Sequence, residues 1–138
     1  MQSKRIVITE VGTISSLGTG FENLSEAMTR VPQKSTVKDY DFHQLENGID
    51  CYLIKDFDPV EVLGKKGLRN KDFATKILLG TLETAFAEML SNTEEAKKPG
   101  LSIGTAFGSV QSIGDFLSDS IVNDVNSVNP QLFANTVI

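Results

Sequence analysis

The sequence predicts an α/β fold, and three observations carry that prediction. Two short apolar runs, Arg5-Ile-Val-Ile-Thr9 and Leu101 to Thr105, end close to glycines, as buried strands do. Each is followed by a stretch whose apolar residues recur at three- and four-residue steps, the period of a helix. A longer helical stretch lies between the two pairs. The order β, α, insertion, α, β, α predicts a parallel sheet with right-handed crossovers.

The elements follow in order. Arg5 to Thr9 is closed by Val11-Gly12, with Gly18 and Gly20 just beyond. Phe21 to Thr29 places Phe21, Leu24, Ala27 and Met28 on one helical face. Pro32 to Gly48 is polar and punctuated and reads as loop, within a loop-rich insertion of roughly residues 30–69. Cys51-Tyr-Leu-Ile54 is a candidate extra strand. Asp58-Pro59 reads as an N-cap with proline at the first helical position, opening a short helix that Gly64 ends.

The longest helix covers Asn70 to Ser91. Ala74, Ile77, Leu78, Leu82, Ala85, Phe86 and Met89 give it a broad apolar stripe, suited to packing on a sheet. Asn92 to Gly100 reads as an exposed connector. Ser109 to Val122 forms the next helix, with Val110, Ile113, Leu117 and Ile121 on one face, and Asn129-Pro130 opens a last short turn. A sheet of two or three parallel strands cannot cover itself, and parallel sheets are normally buried on both faces. The expectation is an incomplete domain, finished by further chain or a partner, with a large apolar patch left open.

The 138 residues suit one domain, and 40% hydrophobic with 22% charged residues are globular values. A net charge of −5 excludes general nucleic-acid binding, which needs a basic footprint. No apolar run approaches the roughly 20 residues that span a bilayer. The N-terminal apolar run is too short for a signal-peptide core. The single cysteine, Cys51, cannot form an internal disulfide, which fits a reducing compartment. The expectation is a cytoplasmic chain with no membrane or nucleic-acid partner.

The stretch "LSIGTAFGSVQSIGDFL" has the strand–glycine turn–helix form of a phosphate loop. Its spacing excludes that. Gly104 and Gly108 are one residue too close for a P-loop, Ser109-Val110 supplies no lysine, and G-x-G-x-x-G is absent. A bulky Phe107 inside the turn suits an apolar ligand or an interface better than an anion. One cysteine and one histidine do not make a metal site. His43 lies in a polar stretch without a catalytic partner, and Cys51 behaves as a small hydrophobe. Asp56, Asp58 and Glu61 are explained by capping and solvated surface. Lys65, Lys66, Arg69 and Lys71 cluster in "LGKKGLRNK" with no acid among them, and read either as solvated surface or as a dock for an acidic partner.

Four segments in order resemble one family. "RIVITEVGTISSLGTG" resembles the VTGxGxxSPxGxG opening of the β-ketoacyl-acyl-carrier-protein synthases. "IKDFDPVEVLGKKGLRNKD" resembles their segment ahead of the long helix, while "GTAFGSV" and "VNPQLFANTVI" resemble their next strand-helix junction and pocket wall. The resemblance runs through essentially the whole chain. It implies the N-terminal part of a ketosynthase with a partial thiolase-like α/β/α layered fold, built in the family as homodimers of two similar halves. It further implies decarboxylative condensation of acyl and malonyl thioesters in fatty-acid or polyketide synthesis, with no metal and no cofactor. The family's chemistry uses a cysteine thiolate, an oxyanion hole and two histidines.

The family cysteine lies a short way beyond the segment matched by "NTV", and neither Cys51 nor His43 aligns with a catalytic position. The resemblance therefore implies no catalytic residue within this chain and no activity of the chain alone. It places Phe107 and Phe133 at the acyl pocket and dimer interface. Lys65, Lys66 and Arg69 fall where acidic acyl carrier protein docks. The implied partners are acyl carrier protein and either a second copy, as homodimer or swapped oligomer, or a complementary ketosynthase chain. Glu10, Ser16 and Ala134 depart from the usual glycine, proline and proline. Glu10 at a tight strand end suggests the alternative of a non-catalytic ketosynthase-like subunit that shapes an acyl tunnel in a heterodimer.

Overall fold

The computed structural model describes residues 5–31, 33–40, 43–91 and 100–136. Four short strands and four α-helices follow one another: β1 (Ile14–Ser15), β2 (Gly18–Thr19), α1 (Phe21–Ala27), β3 (Ser35–Tyr40), β4 (His43–Cys51), α2 (Pro59–Leu63), α3 (Phe73–Ser91) and α4 (Val110–Val122). Two 3-10 turns, Val125–Ser127 and Pro130–Asn135, close the described chain. The fold is mixed α and β. Two compact units divide it, Met1–Asp58 with Thr81–Ala87, and Pro59–Gly80 with Glu88–Ile138.

In the first unit, β1 and β2 make a minimal antiparallel hairpin that pairs Ile14 with Thr19 and Ser15 with Gly18. The Leu17 amide donates to Ser15 Oγ at 3.1 Å, and Gly18 takes a φ of 128° that a side chain would resist. The Gly20 amide then donates to the Thr13 carbonyl at 2.8 Å, and α1 starts at once. Thr19 Oγ1 ties the hairpin to the Asp56 carbonyl at 3.3 Å. Gly12 sits so close to the Thr81–Ala87 part of α3 that a Cβ would lie 2.6 Å from both Ala85 Cβ and the Thr81 carbonyl.

β3 and β4 form a second antiparallel hairpin, with Ser35 opposite Cys51 and Tyr40 opposite His43. This corrects the expectation of loop over Pro32 to Gly48. Ser35 and Val37 are half-buried while Thr36 and Lys38 are exposed, the period-two alternation of a half-covered strand. Antiparallel pairing needs only a tight connection, so a polar segment can form it locally. His43 opens β4, and only Cys51 of the candidate strand Cys51 to Ile54 belongs to a ladder.

The expected parallel sheet is not formed among the described residues, where both sheets are antiparallel pairs. Arg5 to Thr9 carries no ladder, with Ile6 fully exposed and Ile8 86% exposed. Leu101 to Thr105 likewise has no ladder partner among the described residues and is exposed. β-branched sequence favours an extended backbone, but a strand exists only where a neighbour takes its amides and carbonyls. Among the described residues neither run has such a neighbour.

The helices follow the sequence more closely. Pro59 opens α2 and Gly64, at φ 74°, ends it, its amide donating to the Val60 carbonyl at 3.0 Å. α3 begins at Phe73 rather than near Asn70, and Phe86, at φ −123° and ψ 18°, breaks its regular dihedrals. α4 has the expected bounds but not the expected inner face. Val110, Ile113, Leu117 and Ile121 face solvent, Ile121 at 80% exposure, while Ser112, Phe116, Asp119 and Ser120 are the partly covered positions. The connector 92–99 lies outside the described residues. No helix among them is long and apolar enough to cross a membrane.

The Gly12 contact gives the first testable outcome. Gly12→Ala forces an added methyl into the Thr81–Ala85 backbone turn, and is expected to cost about 1–3 kcal/mol, as overpacking does. Urea unfolding monitored by circular dichroism should show the lower midpoint, with Gly20→Ala, where a Cβ meets nothing but φ is 94°, as the backbone-strain comparison.

Candidate functional site

The second unit is organised around residues 69–72. Asp72 precedes α3 as its N-cap, accepting a hydrogen bond from the Thr75 amide at 2.9 Å. Ser109, at the N-cap position of α4, makes no cap of its own because its hydroxyl donates to the other Asp72 oxygen. Ser109 is 5% exposed, so the bond satisfies a hydroxyl that water does not reach. Asn70 adds two ties to the last 3-10 turn. Its carbonyl accepts from Asn135 Nδ2 at 2.9 Å, and its side chain donates to Gln131 Oε1 at 3.4 Å.

Burial opposes ionisation of Asp72, but hydrogen bonds from Ser109 and Thr75 and the charge of Lys76 outweigh it. The carboxyl is held below its ordinary value of 3.8. The arrangement disposes of the glycine turn as an anion site on physical grounds. A carboxylate already occupies the space beside the α4 N-terminus, where it complements the helix dipole. The turn itself is closed by the Gly108 amide donating to Thr105 Oγ1 at 2.9 Å, with Gly108 at φ 55°.

These ties shape a cleft of about 300 Å³ lined by Asp72, Asp115, Phe116, Asp119, Leu132 and Asn135, with Arg69 and Lys71 contributing to its wall. The Phe116 ring lies 5.9 Å from that of Phe133 at a 57° tilt, a favourable aromatic pair. The cleft therefore joins an apolar floor to charged sides of both signs. Among the described residues no group of acids, histidines and cysteines is placed to hold a metal ion.

The site residues expected from sequence divide between this cleft and open surface. Arg69 contributes to the cleft, while Phe133 is outside its lining and touches it only through the ring contact with Phe116. Lys65 and Lys66 are exposed in the turn after α2, and among the described residues no carboxylate pairs with either, with Arg69 or with Lys71. Phe107 is 80% exposed at the tip of the glycine turn and is not part of the cleft lining. Asp72 and Ser109 are the site residues that sequence reasoning passed over. An aspartate directly ahead of the periodic run "FATKILL" is a readable N-cap signal. The bond from Ser109 to Asp72, across 37 residues, has no such signal.

Among curated proteins, the chain is similar to the 3-oxoacyl-[acyl-carrier-protein] synthase 2 of Coxiella burnetii. The two are 24% identical over 143 residues, covering 100% of this chain and 34% of that protein. The chain thus spans a minor part of the length of the curated relative it matches. No family model matches the chain, and no solved structure matches it significantly. At this identity the similarity supports a ketosynthase-like region.

Asp72→Ala removes both bonds and is expected to cost about 1 kcal/mol from the cap alone. Asp72→Asn keeps an acceptor for Thr75 and should lose less. The sign with pH follows from the lowered pKa. The contribution of Asp72 is complete above 3.8 and is lost as pH falls through the lower native value. Thermal unfolding across the acid range should show this decline in the wild-type chain and a flatter profile in Asp72→Asn.

Proposed function

We propose that the chain is the N-terminal part of a cytoplasmic 3-oxoacyl-[acyl-carrier-protein] synthase with thiolase-like α/β/α layering. The observation that carries this reading is the similarity to the Coxiella burnetii synthase, which extends over 100% of the chain. The whole enzyme would condense acyl and malonyl thioesters with loss of carbon dioxide, in fatty-acid or polyketide synthesis. Its nucleophile and histidines would lie outside these residues, since neither Cys51 nor His43 stands at a matching position.

In this reading the basic segment Lys65, Lys66 and Arg69 docks acyl carrier protein. Exposed cations without carboxylate partners keep their full field for an acidic ligand. Phe107 and Phe133 belong to an acyl pocket completed at a dimer interface, which accounts for two large aromatic side chains left open to solvent, each more than half exposed. The open stripe on α4 and the unpaired runs near Ile6 and Leu101 need covering surfaces of the same kind. A second reading, a non-catalytic ketosynthase-like subunit in a heterodimer, is favoured by Glu10, an exposed acid where the family usually has glycine.

Titration of the chain with acidic acyl carrier protein tests the docking surface. Binding should weaken with added salt. Reversing Lys65, Lys66 and Arg69 to glutamate should weaken it roughly tenfold or more, about 1.4 kcal/mol; unchanged affinity would remove the carrier-protein assignment. Supplying acyl- and malonyl-carrier protein to the chain should yield no condensation product, and any turnover would relocate the chemistry. Light scattering should show self-association of the isolated chain, and a clean monomer would contradict it. Capture from cell extract of a larger ketosynthase chain bearing the cysteine selects the heterodimer reading.

A further inference from the structure

We propose that Asn47 is a site of spontaneous deamidation, converted to aspartate and isoaspartate in the folded chain. Asn47-Gly48 is the single Asn-Gly pair in the sequence. The reaction begins when the amide nitrogen of the following residue attacks the asparagine side-chain carbonyl. Glycine obstructs that attack least because it has no Cβ.

The hairpin places this pair where a strand is weakest. Val37 pairs with Ile49 and Asp39 with Gln44, so Lys38 alone spans the distance that Leu45, Glu46, Asn47 and Gly48 span on β4. Such a bulge interrupts the ladder and leaves its extra residues unpaired. Asn47 is exposed, and Gly48, at a left-handed φ of 68°, is half-buried. Water and hydroxide therefore reach the Asn47 side chain freely and the Gly48 amide in part.

Side-chain bonding separates Asn47 from the other described asparagines. Asn23, Asn123 and Asn135 donate through Nδ2 to Thr19, Asp119 and Asn70, and Asn126 donates to Asp124. Asn70 is bonded to Gln131, and Asn129 accepts from the Gln131 amide. Each of these side chains is already engaged in a hydrogen bond, and Asn129 in addition precedes Pro130, whose nitrogen carries no proton to lose. Among the described residues the Asn47 side chain has no such partner, so it can rotate into the attacking geometry without breaking a bond.

The chemistry balances with water as the only co-reactant. The Gly48 nitrogen forms a bond to Asn47 Cγ as the Cγ–Nδ2 bond breaks, and ammonia leaves with the proton lost by the Gly48 amide. Water then opens the cyclic imide at one of its two carbonyls. Opening at the backbone side routes the main chain through Cβ and Cγ as isoaspartate; opening at the other gives aspartate. Both products add a negative charge to a strand that already carries Asp50. The iso form also adds a methylene to the β4 backbone, which changes the offset between the Gln44 and Ile49 rungs that the bulge sets.

The test is prolonged incubation of the folded chain in mildly alkaline buffer, followed by peptide mapping. The peptide containing Asn47 should gain the mass of one amide-to-acid exchange ahead of every peptide containing another described asparagine. Backbone fragmentation should show both linkages in it. Moving to mildly acidic buffer should slow the change, and Asn47→Gln should abolish it. Gln is the better control than a substitution of Gly48, where a Cβ would lie 2.7 Å from Thr36 Cγ2 and disturb the hairpin itself. A synthetic peptide of residues 44–51 gives the unprotected rate. An Asn47 that stays intact, or that reacts far more slowly in the folded chain than in this peptide, overturns the proposal. So does equal reaction at Asn126, since that would leave the hairpin without a role.

Discussion

Two helices begin at one carboxylate. Asp72 accepts the Thr75 amide at the head of α3 and the Ser109 hydroxyl at the head of α4, so neither helix start is set independently of the other within the second unit. Asn70, two residues earlier, fixes the closing 3-10 turn through Asn135 and Gln131. The cleft walls are thus held in part by polar ties. Such ties have direction, which is why a short segment can position three elements at once. The two at Asp72 also depend on protonation, because their acceptor is an ionised acid.

The scarcity of apolar packing is general. Among the described residues only Phe57 and Leu68 are buried hydrophobics. The α4 stripe that periodicity assigns to the interior lies in solvent, and the helix instead covers Phe116 and small polar residues. Hydrophobic burial is the main favourable term in folding, so these surfaces represent stabilisation that the described residues do not realise among themselves. The proposed place of the chain in a larger condensing enzyme supplies a reason for apolar residues at those positions. The first unit solves the same problem on a small scale, since the absent side chain of Gly12 lets backbone approach α3 directly.

Local rules were legible where a few neighbouring residues decide the outcome. Pro59 and Gly64 bracket α2, Asn129 caps the last turn through the Gln131 amide, and α4 keeps its expected bounds. The strands were not legible because a strand is a property of two segments. Arg5 to Thr9 has strong β composition and no strand partner among the described residues, while the polar Ser35–Tyr40 segment has a partner a few residues away and forms a ladder. For the candidate site, the basic segment was readable as a run of like charges. The Asp72–Ser109 bond was not, since nothing in either residue's neighbours announces the other.

The sequence by itself determined the bounds of α2 and α4, the glycine that ends α2, and the exclusion of a nucleotide loop. Each is a matter of residue type and spacing, which do not change with distant contacts. Tertiary structure decided which apolar faces are covered, which extended runs become strands, and that Asn70 is tied to Gln131 and Asn135. These depend on what lies across from a residue in space, and pairing energies of that kind arise only once the chain has brought remote segments together.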